Sequence, residues 1–328
     1  MEHGSSDVGI LGNIRSLHQF IQASRSKKDL LLGQRVPEAD TSLTLTKTYN
    51  TYYDDILLKV KQARDYFLLV GPPGTGKTSM ALRFMVEEEL FQLSTKHLEL
   101  CILLMAYTNR AVDEIRAMLR EAGLEDDPRI IIGTTSMMQA RPFLLEGLHI
   151  SLAIVDEASQ VLEPGLIGLL SSNQIDRFVL IGDHKQLPAV VQQNPEETIV
   201  DNPLLQNIGL SDCRQSLFQR LYNWEVSQKR TQFIGTLNRQ GRMHPDVAQF
   251  ACKHFYGSWL QPVPLSHQKE TTLNYALSSQ DAIDNLLKSR RIVFFPGDTQ
   301  RTIDLALRIR RFYGDSFDAQ KTLGIIDL

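Results

Sequence analysis

From Tyr66 to Phe84 the chain reads YFLLVGPPGTGKTSMALRF. An apolar run, Phe67 to Val70, meets a loop that fits G-x-x-x-x-G-K-[ST] at Gly71, Gly76, Lys77 and Thr78. A helical pattern follows, with Met80, Ala81, Phe84 and Met85 on one side. Strand, glycine loop and helix in that order are the setting in which this spacing cradles phosphate. Gly71, Gly74 and Gly76 let the backbone N–H groups turn inward as a nest. The positive end of the following helix adds to the same field. Within Gly71, Pro72, Pro73, Gly74, Thr75, Gly76, Lys77, Thr78 and Ser79, Lys77 is expected to reach the β- and γ-phosphates. The Thr78 hydroxyl is expected to ligate Mg²⁺.

Outward from this stretch, 328 residues exceed one ordinary core, so two domains are expected. A hydrophobic share of 42% with 22% charged residues reads as a globular chain. The formal net charge of −3 carries no global basic signature, so any nucleic-acid binding must come from a local surface. Cys101, Cys213 and Cys252 are widely spaced and form no C-x-x-C pair. That argues against zinc, an iron–sulfur cluster or a disulfide framework, and suits a reducing compartment. No apolar run has the length of a membrane span, and the N-terminus lacks a signal-peptide layout. The expected location is cytoplasmic.

Residues 1–48 are weakly patterned, with a helical period through Ile14, Leu17 and Phe20. Tyr49–Tyr66 reads as an amphipathic helix leading into the first strand. Further apolar runs at Leu98–Met105, Arg129–Gly133, Ser151–Val155 and Phe178–Ile181 alternate with helical patterns. Asn109 is placed as the N-cap of a helix carrying Ala111, Val112, Ile115, Met118 and Leu119. Strands alternating with helices imply an α/β fold, a parallel sheet covered on both faces. Ligands of such sheets lie at the carboxyl ends of the strands. Thr108, Thr134, Asp156 and Asp183 all fall there. A second domain is expected from about Phe233, with a strand at Arg291–Phe295, a helix through Ile303–Tyr313 and a last strand at Thr322–Leu328.

Asp156 and Glu157 close the apolar run Leu152–Val155. Asp156 is expected to hold Mg²⁺ and Glu157 to deprotonate the attacking water. Gln186, in Gly182-Asp183-x-x-Gln186-Leu187-Pro188, can donate to a γ-phosphate oxygen and accept from water. Arg242, in NRQGRMHPDVAQF from Asn238 to Phe250, is a candidate for stabilising phosphoryl-transfer charge.

GPPGTGKT, AYTNRAVDEI, VDEASQ, GDHKQLP and QGRMHPDVAQF occur in the order and rough spacing of superfamily 1 helicases. More narrowly, the chain resembles the subgroup of the nonsense-mediated-decay helicases and the Okazaki-fragment helicase–nucleases, over roughly Tyr66 to Leu328. The resemblance implies two RecA-like domains with ATP between them, and 5′-to-3′ movement along single-stranded DNA or RNA. It divides the chain into a poorly defined segment 1–48, a first RecA-like ATP-binding domain 49–232 and a partial second one, 233–328. It matches Thr108, Asn109 and Val112 to a strand-contacting block, and Thr134 and Thr135 to a second one. Hydroxyl and amide groups at strand ends suit backbone phosphates without reading bases.

The family's adenine-stacking aromatic is replaced here by Gly241, and only Gln62 stands upstream as a glutamine that could read adenine. The chain also stops before the family's last two motifs, so it reads as a truncated motor. The expected activity is ATP hydrolysis coupled to translocation. The alternative is a catalytically weak module that binds nucleotide or nucleic acid. A P-loop kinase has no need of the Gly182–Pro188 or Gln240–Pro245 motifs. DNA against RNA, oligomeric state and pathway are not legible in the residues.

Overall fold

The computed structural model describes residues 4–96, 100–186, 193–269, 281–296 and 299–318, together with 188, 189, 191, 323 and 324. The chain divides into two compact units, Met1–Gln240 and Gly241–Leu328.

Among the described residues, six strands build the sheet of the first unit: β1 (Tyr66–Val70), β2 (Leu100–Ala106), β3 (Ile130–Thr134), β4 (His149–Asp156), β5 (Ile175–Gly182) and β6 (Ile234–Thr236). They pair in parallel in the order β3-β2-β4-β5-β1-β6. Each of the first five reads as a near-continuous apolar run because both sheet faces are covered. Phe67, Leu69, Ile102, Leu104, Leu152, Ile154, Val179 and Ile181 enter one core. Leu68, Val70, Leu103, Met105, Ala153, Val155, Phe178 and Leu180 enter the other. Side chains alternate across the sheet with the strand period of two. Helices α1 (Gly4–Gln22), α2 (Arg25–Leu31), α3 (Asp54–Gln62), α4 (Arg83–Lys96) and α5 (Asn109–Glu121) are among those that flank it.

The helix expected over Tyr49–Tyr66 is confined to Asp54–Gln62, and three further differences from the sequence expectations bear on the extent of the first unit and its edge. Strand β6 pairs with β1, Val70 opposite Thr236, and Phe233 is buried in the same core. The first unit therefore runs past the Phe233 expected to open a second domain. Residues before 48 also belong to it. Ser16 is fully buried and its hydroxyl accepts from the Gly168 N–H at 3.0 Å. Lys27 donates to the Ile175 carbonyl at 2.7 Å. The cap of α5 is Thr108, whose hydroxyl accepts from the Ala111 N–H at 3.1 Å, and Asn109 is the first helical residue.

In the second unit, helices cover Pro245–Ala251, Ser266–Lys269, Ala282–Ser289 and Thr299–Tyr313. Residues 291–295 form no strand. Ile292 and Phe294 are exposed while Arg291, Val293 and Phe295 are half-buried, so the alternation is present without a ladder partner among the described residues. Pairing, not pattern, makes a strand. The strand expected at Thr322–Leu328 lies mostly outside the described residues.

Candidate nucleotide site

Parallel register brings the strand ends level. Val70 stands opposite Gly182, and Ala106 stands opposite both Asp156 and Thr134. One edge of the sheet therefore carries the glycine loop and the residues that follow β2, β3, β4 and β5. The Gly71 N–H donates to the Gly182 carbonyl at 3.0 Å, closing the loop's base onto the neighbouring strand.

Gly76 has φ +74°, and a Cβ there would stand 2.5 Å from the Tyr53 hydroxyl, so both backbone and space demand glycine. The chain then enters a short π-helical turn, Lys77–Leu82, in which the Ala81 N–H reaches back to the Gly76 carbonyl at 2.9 Å. Such wide turns recur at functional sites. Lys77 is buried, Thr78 half-buried and Ser79 exposed. Gly71, Pro72 and Thr75 are buried, with Pro73 and Gly74 partly open. The Thr75 hydroxyl donates to the Pro72 carbonyl at 2.7 Å, which stiffens the loop from within.

The Thr78 hydroxyl donates to Asp156 Oδ2 at 2.5 Å, and Asp156 Oδ1 accepts from the Glu157 N–H at 2.9 Å. Burial pushes the Asp156 carboxyl up from its usual range, partly opposed by the Thr78 hydrogen bond. Lys77 Nζ lies 3.6 Å from Glu157 Oε1. Glu157 adopts φ +53°, a left-handed conformation that costs a residue with a Cβ and recurs at active sites. Gln160 donates to Glu157 Oε2 at 3.3 Å. Gln186 Nε2 donates to Asp183 Oδ2 at 2.9 Å, and Asp183 is fully buried. The Asp183 N–H in turn donates to the Ser159 hydroxyl at 3.1 Å, tying the loop after β5 to the loop after β4. Lys77, Thr78, Asp156 and Glu157 thus meet through direct contacts, while Gln186 is bonded to Asp183, whose N–H is held by Ser159 of the loop after β4.

Thr78 and Asp156 present two oxygens to one point, which fits Mg²⁺ completed by phosphate oxygens and water. Among the described residues no group of three or more His, Cys, Asp and Glu gathers for a protein-only metal cage. No described helix is long and apolar enough to cross a membrane.

The strand-facing candidates divide. Thr108 and Asn109 are exposed at the end of β2, and Thr134 is half-buried with its hydroxyl capping the next helix at the Met137 N–H, 3.1 Å away. Val112 is 6% and Thr135 2% exposed, so neither side chain has surface left to offer a nucleic acid. Each sits one helical turn or less inside a cap and faces the core. Arg242 is exposed in the second unit. Gln62 donates to the Leu43 carbonyl at 3.0 Å and so serves the loop before α3. Tyr53, which no motif marks, donates its hydroxyl to the Thr75 carbonyl at 3.0 Å. Ser159, Gln160 and His184 lie inside the VDEASQ and GDHKQLP stretches and add to the site only through their tertiary contacts. His184 stacks on Tyr222 with ring centroids 4.5 Å apart, and its buried Nδ1 has no hydrogen-bond partner among the described residues.

An AAA domain family profile matches residues 48–131 and 121–194, the span that holds the glycine loop, both carboxylates and the Gly182–Pro188 stretch. By sequence the chain is similar to ATP-dependent helicases. The DNA replication ATP-dependent helicase/nuclease DNA2 of Bos taurus is 27% identical over 76% of this chain and 26% of its own length. The DNA replication ATP-dependent helicase/nuclease JHS1 of Arabidopsis thaliana is 28% identical over 76% of this chain and 19% of its own length. The chain thus spans about a quarter or less of these curated relatives. Among solved structures, an arterivirus nonstructural protein 10 (helicase) with DNA is 17% identical, covering 64% of this chain and 44% of that one at a TM-score of 0.34.

Proposed function

We propose that this chain is the nucleotide-hydrolysing part of an ATP-dependent helicase or single-strand translocase that uses Mg²⁺ and moves 5′ to 3′. The observation that carries the reading is the meeting of Lys77, Thr78, Asp156 and Glu157 at one sheet edge. In this reading the glycine loop and Lys77 hold the β- and γ-phosphates, while Thr78 and Asp156 hold the metal. The metal, when bound, neutralises charge on the phosphate oxygens. Glu157, held at φ +53° just past the end of β4 with its carboxylate 3.6 Å from Lys77 Nζ, takes the proton of the attacking water. Gln186 reports the γ-phosphate, and the Ser159–Asp183 bond passes that state between the two loops. Arg242 is assigned to transition-state charge, as the family resemblance implies. Thr108, Asn109 and Thr134 take backbone phosphates of a single strand, DNA or RNA, without reading sequence.

Phosphate release by the 328-residue chain, with and without a single-stranded oligonucleotide, tests the proposal. Stimulated turnover that Lys77→Ala abolishes is the expected result. Turnover unchanged by Lys77→Ala removes that lysine from its role. Displacement of streptavidin from the 3′ but not the 5′ end of an oligonucleotide checks the direction.

A further inference from the structure

The phosphate-binding loop has two flanks. In the strand order β4-β5-β1-β6, the carboxylates and Gln186 lie on the β4 and β5 side of β1. The other flank is β6, where Val70 pairs with Thr236 and the Leu237 N–H donates to the Val70 carbonyl at 2.8 Å. A triphosphate whose γ end meets Asp156 and Glu157 therefore directs its ribose and base toward β6. Two exposed, planar side chains stand on that flank. The Arg239 guanidinium lies over the Tyr52 ring, 4.0 Å from its centroid, while 52% of Tyr52 remains exposed.

The segment that carries Tyr52 is held against the loop. Tyr53 donates to the Thr75 carbonyl. Asn50 Oδ1 accepts from the Tyr52 N–H at 3.0 Å, and Asp54 Oδ1 accepts from the N–H groups of Tyr49 and Asn50 at 3.0 and 2.9 Å. Tyr49 and Tyr53 both pack on Phe84 of α4, with centroids 5.3 and 5.7 Å apart. The Tyr52 backbone is thus placed before any ligand arrives, which spares an ordering cost on binding.

We infer that Tyr52 and Arg239 form the platform on which the nucleobase stacks, and that the base edge goes unread, so adenine and guanine nucleotides bind alike. The inference rests on the nucleotide reading above. A stacked pair presents π-surface and a delocalised cation, which accept any base face. Nothing in the pair selects the hydrogen-bonding edge that separates adenine from guanine. Gln62 is engaged with the Leu43 carbonyl, the Tyr53 hydroxyl is engaged with Thr75, and Gly241 has no ring to offer.

Titration calorimetry of the 328-residue chain with Mg-ATP, Mg-GTP and inorganic tripolyphosphate tests it. Tripolyphosphate has the phosphates and no base. Wild type is expected to bind ATP and GTP with Kd values within about threefold of each other, by the edge-blind stacking argument. Tyr52→Ala should raise both Kd values about tenfold and leave that of tripolyphosphate unchanged, Arg239→Ala should act in the same sense, and Tyr52→Phe should restore binding. A thermal melt of Tyr52→Ala near wild type accompanies the expected result, since the ring is half exposed. The platform is overturned if Tyr52→Ala binds both nucleotides as wild type does, if tripolyphosphate weakens in parallel, or if ATP is preferred over GTP about a hundredfold. A chain that binds neither ATP nor tripolyphosphate overturns the nucleotide reading and the platform with it. Lys77-dependent ATP binding that is indifferent to Tyr52 overturns the platform alone.

Discussion

Two clusters of charge lie in the first unit, one behind the sheet and one at its carboxyl edge, and their bonding differs. Behind the sheet, Arg220 is fully buried and donates to both oxygens of Glu163 at 2.6 Å. It also reaches the Leu31 carbonyl at 2.8 Å and the Ile208 carbonyl at 3.0 Å. Glu225, equally buried, accepts from Arg230 at 2.7 and 2.8 Å and from the Tyr66 hydroxyl at 2.7 Å. At the edge, Lys77 stands 3.6 Å from Glu157, Glu157 is in a left-handed conformation, and the His184 Nδ1 is buried with no partner among the described residues. The first cluster satisfies its donors within the protein, so it holds elements together. The second holds charge and strain that a ligand can relieve.

The largest expected effect breaks the first cluster. Arg220→Ala strands the Glu163 carboxylate in the interior and should lower stability by about 3–5 kcal/mol. Urea unfolding followed by circular dichroism reads it. A loss under about 1 kcal/mol would mean the two clusters do not differ as described.

At the edge the expected pattern is reversed, with function lost and stability kept. Lys77→Ala should abolish detectable Mg-ATP binding in a calorimeter while unfolding within about 1 kcal/mol of wild type. Glu157→Gly sharpens the contrast further. It should cut turnover by at least about 100-fold, the low end for a general base. It should also leave stability unchanged or raise it by up to about 1 kcal/mol, because glycine adopts φ +53° without penalty. A clear fall in stability would show that the left-handed residue is not strained.

The smallest effect belongs to a residue with both duties. Thr108 caps α5 and is exposed at the sheet edge. Thr108→Ala should cost about 1 kcal/mol of stability. In the same variant, affinity for a fluorescent single-stranded oligonucleotide should fall about two- to fivefold, the size of one lost hydrogen bond to a charged phosphate. Unchanged affinity by anisotropy would leave Thr108 as a helix cap alone.

Much of the fold was legible because buried parallel strands leave a plain mark. Five of the six strands are apolar runs, and the polar residues that follow four of them mark the ligand edge. The sixth, Ile234–Thr236, is too short and too mixed to show a period, so the domain boundary moved. Residues 291–295 show the opposite error, an alternation with no neighbour to pair with. Val112 and Thr135 were matched to nucleic acid by motif position, yet both turn inward, because a motif fixes order along the chain and not the angle around a helix.

Residue order alone determined that the glycine loop, Asp156 and Glu157 would share one sheet edge. Local spacing dictates that much, since a parallel sheet sends all its strand ends the same way. Only the packed structure decided that Tyr53 braces the loop, that Ser159 links the two acidic strand ends, and that Arg239 lies on Tyr52. Those pairs are 22, 24 and 187 residues apart in sequence (75 − 53, 183 − 159 and 239 − 52). Contacts between residues so far apart depend on how whole layers settle against one another, which no short stretch encodes.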